Sequence, residues 1–589
     1  MCLCLMKLFP QVSLWLFFVI ALLGCKPDYN EALSNTLVVR ITADLKGLNP
    51  VLYRAGSSTR LMNLLIPTIV DFDPKTLAFA PVLIDSLPKE VVLPGENSDK
   101  VAYRFRFRKE AKWPDGSSIT AKDYIFSLKV AFNRKIRGNS WTRVLSIIDK
   151  VITNPDDPKE CTVVLKKKLA NSLGYFAGFE LLPEYHYDPN HLLAAFPLDD
   201  FVSIERFDKL WTAHPEITQF AQQFSQEKYI REPDGVVGAG PYRLAKWEVN
   251  DQIVLVKRKN YWADQLSPPS TLLVGYPDTI VYKIVADEVA TKLKIKNKEL
   301  DLVSNLSASD FIKFKKDPII RENYNFFTPI SQEFYVVILN TKSPKLDNNV
   351  RIALAKSIDV NQILEATVSG LGKRIISPLS PNSPYYHHGL EPIKKDIQAA
   401  KELLAQAGWR DNDHDGILEK EIHGKVVPLE LTMVAGGTSP IGMSSAPIIK
   451  AEAAKVGIKV NILGTTNSEI LSKLRSPKFE MALVRFITSP TDYMPYGSWH
   501  SDNAGLKGKN YSRYSSTEMD AIIDSLQMSQ KQEEKKKAYL RFQENLYENQ
   551  PVIFLFSPDK TIIVQKRWEP LITPIRPNFF ENSFRLKKN

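Results

Sequence analysis

Cysteine is scarce in this 589-residue chain, and its four cysteines are unevenly placed. Cys2, Cys4 and Cys25 lie in or at the end of the first apolar segment, so Cys161 is the one cysteine in the remaining body. A single cysteine cannot form an internal disulfide, and the fold must therefore depend on its hydrophobic core. Because Cys161 begins a pattern typical of a β-strand, we expect a packed core residue rather than a nucleophile.

The sequence also lacks the patterns that an exported hydrolase requires. It contains no G-x-S-x-G and no H-E-x-x-H, and its eight histidines are scattered apart from His387-His388. We therefore expect neither enzymatic activity nor a cofactor. The formal charge is +11, but no basic run alternates with aromatic residues as a nucleic-acid-binding groove would need. The basic excess suits anionic lipid or acidic ligands, and nucleic acid is not an expected partner.

The first 25 residues have the pattern of a targeting segment. Lys7 precedes an apolar run over Val12–Leu23 that is too short for a stable membrane span, and no later run is long and apolar enough to cross a bilayer. The ending Leu-x-Gly-Cys is similar to the lipobox of bacterial lipoproteins. This resemblance implies a signal peptide over residues 1–24, lipidation of Cys25, and a tether over residues 25–36. Such a protein is held on the periplasmic or extracytoplasmic side of a bacterial membrane.

The stretch 237–262 carries the most specific local pattern. Gly238, Gly240 and Pro241 restrict a turn, Tyr242–Trp247 is typical of a short strand, and a hairpin follows. The G-x-G-P-Y turn, the tryptophan six residues after the proline, the hairpin, a basic pair and Asn-Tyr-Trp occur in that order. Together they resemble the middle of the bacterial extracellular solute-binding proteins of family 5, the oligopeptide and dipeptide class.

Two further blocks carry the same resemblance. Residues 103–107 alternate aromatic side chains with arginines, a W-P-D-G turn follows, and Thr120 and Asp123 have the spacing of a capping box. Residues 340–359 combine Asn after a strong strand with V-R-x-A-L and S-I-D. These blocks predict strands, turns and capped helices, and we assign them no ligand role.

A helix is predicted after Asp287, with Val289, Leu293 and Ile295 as its apolar residues. The family usually has glycine before the Glu-apolar-Asp that ends this helix. Here Lys298 stands in that position, so the turn must be made in another way.

The resemblance implies a two-lobed α/β fold of the periplasmic-binding-protein type, class II and similar to cluster C, with mixed sheets. It also implies an extra subdomain inserted in the first lobe. The implied division is 37–70 for the first part of lobe I, 71–235 for the inserted subdomain, 236–304 for the second part of lobe I, 305–545 for lobe II and 546–589 for the last part of lobe I.

The function implied by the resemblance is that of a monomeric substrate-binding lipoprotein of an ABC importer. It would capture oligopeptides or dipeptides between two lobes, close around them, and deliver them to the permease subunits. Two alternatives stay open. The ligand could be a metal chelate, haem or an oligosaccharide, or the same fold could serve a sensor or chaperone.

The predicted ligand site rests on the segment 481–500, where a buried strand leads into a loop rich in proline and aromatic residues. One carboxylate and one guanidinium in it offer charges for the ends of a ligand, and the rings offer flat apolar walls. In peptide-binding relatives a loop acid pairs with the ammonium group of the peptide. Here Ser489-Pro490 stands where many relatives have Asp-Pro, which leaves a solvated loop carboxylate as the alternative. The candidate residues are Arg485, Phe486, Asp492, Tyr493, Tyr496 and Trp499.

Three other positions complete the predicted sites. Tyr53 follows the first strand, in a loop that approaches the ligand in this family, although an ordinary surface loop fits equally. Gly436 and Gly437 follow a strand, where glycine permits either close approach of a ligand or a tight loop. Carboxylates at alternate positions before Gly416 form the first half of a calcium loop, but Ile422 stands where the bidentate glutamate belongs. A plain Asp-rich turn is the alternative to a calcium site at Asp411, Asp413 and Asp415, for which Glu419 or water would have to supply the missing ligand.

Overall fold

The computed structural model describes residues 35–53, 56–93, 100–139, 141, 145–167, 172–436, 440–488, 493–506, 508–529 and 531–587. The predicted signal peptide and Cys25 lie outside these residues. Within them, no helix combines the length and the apolar character needed to cross a membrane.

The strands follow one another from the first described residues to the C-terminal segment. In chain order they are β1 (Thr36–Ile41), β2 (Val70–Phe72), β3 (Phe79–Pro81), β4 (Lys89–Val91), β5 (Val101–Arg106), β6 (Ile148–Thr153), β7 (Glu160–Leu165), β8 (Tyr242–Glu248), β9 (Gln252–Lys257), β10 (Thr279–Ile284), β11 (Leu302–Ser304), β12 (Tyr324–Phe327), β13 (Glu333–Leu339), β14 (Gly372–Arg374), β15 (Glu419–Ile422), β16 (Lys425–Pro428), β17 (Glu430–Gly436), β18 (Lys459–Thr465), β19 (Met481–Ile487), β20 (Val552–Pro558), β21 (Ile562–Gln565), β22 (Trp568–Glu569) and β23 (Arg585–Leu586).

The α-helices occupy the connections between these strands. In chain order they are α1 (Gly56–Leu65), α2 (Ala121–Phe132), α3 (Glu184–Tyr187), α4 (Leu198–Val202), α5 (Ile204–Ala213), α6 (Pro215–Phe224), α7 (Lys228–Arg231), α8 (Glu288–Lys296), α9 (Ala308–Lys316), α10 (Pro318–Asn323), α11 (Asn348–Ser357), α12 (Val360–Val368), α13 (Ile397–Gln406), α14 (Pro440–Ala454), α15 (Asn467–Arg475), α16 (Tyr496–Trp499), α17 (Thr517–Met528) and α18 (Gln532–Asn549).

Two large mixed sheets form the centre of the architecture. The seven-stranded sheet has the order β12-β21-β11-β1-β10-β9-β8, and the six-stranded sheet has the order β14-β20-β13-β19-β17-β18. In the first sheet β1 runs parallel to β10 and β11, whereas β9 and β21 are antiparallel to their neighbours. In the second sheet β17 runs parallel to β18 and β19, and β13 is antiparallel to β19 and β20. Both sheets are therefore mixed, as predicted.

The strand β13 is buried along its whole length, which explains its continuous apolar sequence. Tyr335, Val337 and Leu339 belong to the core on one face of the sheet, and Phe334 and Val336 belong to the core on the other. Alternate side chains of one strand thus contribute to two separate cores.

The glycines before β8 allow its turn to contact the end of α1. A Cβ atom on Gly240 would lie 2.2 Å from the carbonyl oxygen of Leu64, and one on Gly238 would lie 2.5 Å from that of Leu65. The Gly240 N–H donates to the Leu65 carbonyl at 2.9 Å. Glycine is therefore required here by close backbone approach.

The rest of the same segment fixes this turn. Arg258 donates from Nη2 to the Gly238 carbonyl at 3.0 Å and from Nε to the Gly240 carbonyl at 3.1 Å. Trp262 donates from Nε1 to the Ala239 carbonyl at 2.9 Å. Arg258 of the basic pair and Trp262 of the Asn-Tyr-Trp thus hold the turn that precedes them.

A separate four-stranded sheet, β4-β5-β7-β6, carries the first of the two other recognised blocks. Phe105 and Phe107 of this block are buried, and so is Cys161, whose thiol pKa is raised by burial. The predicted capping box is confirmed, because the Asp123 carboxylate accepts from the Thr120 N–H at 2.7 Å at the start of α2. Cys161 is a packed core residue, as expected.

The chain passes from the seven-stranded to the six-stranded sheet at residues 328–332 and returns at residues 559–561. These crossings lie side by side, since Ile330 forms a bridge with Asp559 and the Lys560 N–H donates to the Pro329 carbonyl at 2.9 Å.

The strand pairing differs from the division read from the sequence. Residues 305–327 provide β12 to the seven-stranded sheet, and residues 546–558 provide β20 to the six-stranded sheet. The predicted limits after residues 304 and 545 assign both segments to the opposite lobe. An apolar strand has the same sequence pattern in either sheet, so the pattern alone cannot assign its partner.

The helix α8 forms where the sequence predicts it. Asp287 caps it, accepting from the Ala290 N–H at 2.7 Å, and Ile295 is fully buried. Val289 and Leu293, however, are 79% and 61% exposed. Of the three apolar residues, Ile295 is the buried one, because its face of α8 packs against the adjacent core.

The turn after α8 is made by Lys298 in the left-handed conformation, with φ of 61°. Glycine adopts this region without strain, whereas a side chain with a Cβ does so at a cost. The substitution of lysine for the family's usual glycine therefore leaves the turn in place.

Candidate functional site

A cavity of about 760 Å³ is lined by residues from the sides of both large sheets. One wall consists of β13, β19 and the ends of α12, α14 and α15. The other consists of the start of α8, the segment 305–308, the last residue of β20 and the returning crossing at 559–561. This volume is in the range of pockets that enclose small ligands.

The cavity lining combines apolar surface with a small number of charges, as ligand pockets usually do. The apolar side chains include Leu306, Val368, Leu371, Ile441, Leu483 and Phe486. The charged ones are Glu288, Glu333, Arg485, Asp559 and Lys560. All eight histidines belong to the described residues, and none of them lines it.

Glu333 is the centre of an ion-pair cluster in this wall. Its side chain is 7% exposed and lies 3.3 Å from Lys560 Nζ, 3.3 Å from Arg485 Nη1 and 4.0 Å from Arg576 Nη2. Burial raises the pKa of Glu333, but the combined attraction of the three cations outweighs burial and the net shift is downward. The cluster joins β13, β19, the returning crossing and the C-terminal segment.

The ammonium group of Lys560 loses solvation by taking part in this cluster. Burial lowers the pKa of its ammonium group, and the attraction of Glu333 offsets only part of that effect. At Glu333 the three cationic neighbours outweigh burial, whereas at Lys560 burial outweighs Glu333, its one ion-pair partner among the described residues.

The other two carboxylates of the lining differ from each other. Glu288 accepts from both the N–H and the hydroxyl of Ser307, each at 3.1 Å, at the start of α9. Burial raises its pKa, and a hydrogen bond with Asp310 acts in the same direction. Asp559 is half-buried and its pKa is also raised by burial, with the Lys373 charge acting against the shift.

Three of the predicted ligand residues line this cavity. Arg485 and Phe486 come from the end of β19, and Gly436 is the last residue of β17. The Arg485 side chain is 47% exposed and retains one ion pair, with Glu333. Asp492 and Gly437 lie outside the described residues.

Two of the predicted aromatic residues, Tyr493 and Trp499, lie apart from the charged wall. Tyr493 and Trp499 pack with Phe542, and Trp499 Nε1 donates to the Tyr493 hydroxyl at 2.6 Å. Burial raises the pKa of Tyr493 to about 12. Both residues border a second, smaller cavity of about 90 Å³, to which Phe486 also contributes.

Tyr496 and Tyr53 line neither of these cavities. The Tyr496 hydroxyl donates to Asp502 at 2.9 Å, and its ring lies 4.6 Å from that of His500. Tyr53 is partly buried beside Gly47, where its ring would contact any added Cβ atom. The ligand roles of these aromatic residues stay predictions.

The acidic loop brings together a different set of carboxylates from the predicted one. Oxygens of Asp411, Asp413 and Glu419 all lie within 4.8 Å of one another. Asp415 instead accepts from the Ile417 N–H at 2.7 Å. Glu419 also accepts from the Asn412 N–H at 2.6 Å, which a plain turn explains equally well. The calcium site therefore stays a prediction.

Sequence reasoning missed Glu333, Asp559 and Lys560 as residues of the cavity wall. The available signal was their position: Asp559 and Lys560 directly follow the wholly buried strand β20, and Glu333 begins β13. A charged residue at the end of an apolar strand is a candidate for a cleft, because ligands bind beyond strand ends in many α/β folds.

The profile of the bacterial extracellular solute-binding proteins, family 5 Middle, matches residues 79–507. The chain belongs to this family. Among curated relatives, the oligopeptide-binding protein AppA of Bacillus subtilis is 23% identical, over 80% of this chain and 78% of AppA. The nickel-binding periplasmic protein of Escherichia coli is 26% identical, over 46% of this chain and 49% of that protein.

A solved structure confirms the fold at this low identity. The structure of AppA from Bacillus subtilis in complex with a nonapeptide matches with a TM-score of 0.66 and 22% identity, over 94% of this chain and 99% of AppA. The predicted α/β fold of the periplasmic-binding-protein type is therefore correct for this family 5 chain.

Proposed function

We propose that this chain is the substrate-binding lipoprotein of an ABC importer, and that it captures oligopeptides or dipeptides and delivers them to the permease. The observation that carries the proposal is the cavity bounded by both large sheets, with apolar walls and charges of both signs. A peptide has an ammonium group, a carboxylate and apolar side chains, and such a wall is complementary to all three. No chemical step on the ligand is part of this function.

The absence of histidine from the cavity lining supports a peptide over a metal ion. Nickel and zinc are bound mainly by imidazole and thiolate. All eight histidines belong to the described residues, and none of them lines the cavity. One of the two relatives is named as oligopeptide-binding and the other as nickel-binding, so the relatives leave both ligands open. The chemistry of the lining favours a peptide.

We further propose that two lobes close on the ligand about the paired crossings at 328–332 and 559–561. The inserted subdomain of residues 71–235 would extend the first lobe, and lipid on Cys25 would hold the monomeric protein at the extracytoplasmic face of a membrane. A ligand that contacts both walls favours the closed arrangement by the difference between its affinities for the closed and open states.

The test is to purify the full chain from cells, denature it, and identify the released small molecules by mass spectrometry. A ladder of short peptides is the expected result. A single sugar, metal chelate or tetrapyrrole would replace the peptide by another solute, and a protein without any released ligand would favour a sensor or chaperone.

A further inference from the structure

Asp559 is the one carboxylate among the described lining residues of the cavity that has no partner. Its backbone is fixed, since its N–H donates to the Leu371 carbonyl at 3.1 Å and the residue forms a bridge with Ile330. Within the described part of the chain, its side chain has no hydrogen bond and no ion pair within 4.0 Å. The carboxylate is half-buried at the cavity wall.

The other charges of the wall are already engaged. Glu288 is bound by Ser307, and Glu333 is bound by Lys560 and Arg485. For Asp559, the positive charge that acts against the rise in its pKa is that of Lys373, an exposed residue of β14 that forms no ion pair with it among the described residues. Burial without a partner disfavours the ionised form of a carboxyl group, and a cation at the wall would remove this penalty.

We propose that Asp559 binds a cationic group of the ligand, an ammonium or a guanidinium, and thereby selects cationic ligands over neutral ligands of the same shape. The proposal rests on the proposed function, because it concerns the same cavity. An organic cation fits better than a metal ion. A single carboxylate supplies too few of the roughly six to eight oxygen ligands of calcium, and the described lining residues include no histidine for a transition metal.

The expected loss of ligand affinity follows from the strength of a charge-assisted hydrogen bond at a partly desolvated position. Loss of such a contact is expected to weaken binding about tenfold or more. Removal of the carboxylate should weaken the binding of the cationic ligand and leave that of its neutral counterpart almost unchanged.

The experiment uses four synthetic pools of random peptides of two to six residues. The N-terminus is free or acetylated, and lysine and arginine are either present or replaced by norleucine. The full chain, purified in mild detergent, is exposed to each pool, and retained peptides are quantified by mass spectrometry. Asp559→Asn removes the charge and keeps the shape, and Asp559→Glu keeps the charge. Asp156→Asn, at an exposed turn of the four-stranded sheet, is the control with the same change in net charge.

We expect the wild-type chain to enrich at least one cationic pool about tenfold over the doubly neutral pool. The pool that is enriched identifies the source as the terminal ammonium or a basic side chain. The Asp559→Asn variant should lose that enrichment, whereas Asp559→Glu keeps part of it and Asp156→Asn keeps all of it.

Three results would overturn the inference, and they are distinguishable. If the wild-type chain retains peptides without preference for a cation, or if Asp559→Asn keeps the preference, the inference fails and the proposed function stands. If the wild-type chain retains no peptide from any pool, the proposed function fails and the inference fails with it.

Discussion

Replacing Glu333 by glutamine should destabilise the ligand-free protein, because it removes the anion from a cluster of three cations. The main loss is at Lys560, whose side chain is 20% exposed and which has Glu333 as its ion-pair partner at 3.3 Å. Breaking a fully buried pair costs about 3–5 kcal/mol, and this partly exposed one should cost about 2 kcal/mol. The side chains of Arg485 and Arg576 are 47% and 36% exposed, so each adds about 0.5 kcal/mol at most.

The assay is a double-mutant cycle with Lys560→Met, followed by scanning calorimetry at pH 7. Each single variant should lower Tm by a few degrees, and the double variant should lose about 1–2 kcal/mol less than the sum of the two. Glu430→Gln is the control. It breaks a more exposed pair with Lys459 in the same large sheet and should cost less than about 1 kcal/mol. Strict additivity of the Glu333 and Lys560 effects would refute the reasoning.

The same cycle has a defined pH dependence. The pKa of Glu333 is lower in the folded protein than the ordinary value, so the folded state binds fewer protons than the unfolded state between the two values. The stabilisation by Glu333 is therefore complete above the unfolded pKa of about 4.3 and is lost as the pH falls through the lower folded pKa. The difference in Tm between wild type and Glu333→Gln should shrink over that acidic interval and stay constant from pH 6 to pH 8. A difference that grows on acidification would contradict this assignment.

Removing the glycine at position 240 and introducing one at position 298 should have opposite effects on the stability of the folded protein. Gly240→Ala should destabilise by more than about 3 kcal/mol and reduce the yield of folded protein, because the new Cβ atom would lie 2.2 Å from the Leu64 carbonyl oxygen. The control Gly464→Ala, in β18, meets nothing within 4 Å and should leave Tm within about a degree. Lys298→Gly should raise the stability by up to about 1 kcal/mol, since φ is 61° at this position. Lys298→Ala retains the left-handed strain, so a gain as large in that variant would exclude the backbone explanation.

Local patterns in the sequence predicted the elements that local physics determines. The close turn at Gly238 and Gly240, the capping box at Asp123 and the buried strand β13 all follow from steric demands or periodicities within a short segment. Distant partners could not be predicted in this way. Glu333 and Lys560 are far apart in the sequence, and their contact depends on the pairing of two crossings between sheets.

The same distinction applies to the candidate site. Arg485, Phe486 and Gly436 line the cavity and were predicted from one strand end and the resemblance to family 5. Asp559 was not predicted, because a charged residue after an apolar strand has the same local pattern on a solvent-exposed loop. Only the tertiary structure shows that this strand end borders a cavity and that the carboxylate has no partner there among the described residues.

The position of Asp559 and Lys560 in the returning crossing has a consequence for the proposed closure. These two residues belong to the segment that joins the sheets, whereas Arg485 belongs to the six-stranded sheet and Glu288 to the side of the seven-stranded sheet. A ligand that reaches only one sheet has no differential affinity for the closed state and cannot shift the equilibrium towards it. A ligand whose cationic group is held at the crossing is placed so that its remaining atoms can contact both walls. Selection of a cation at Asp559 would therefore determine the affinity of the ligand and also its ability to stabilise the closed state.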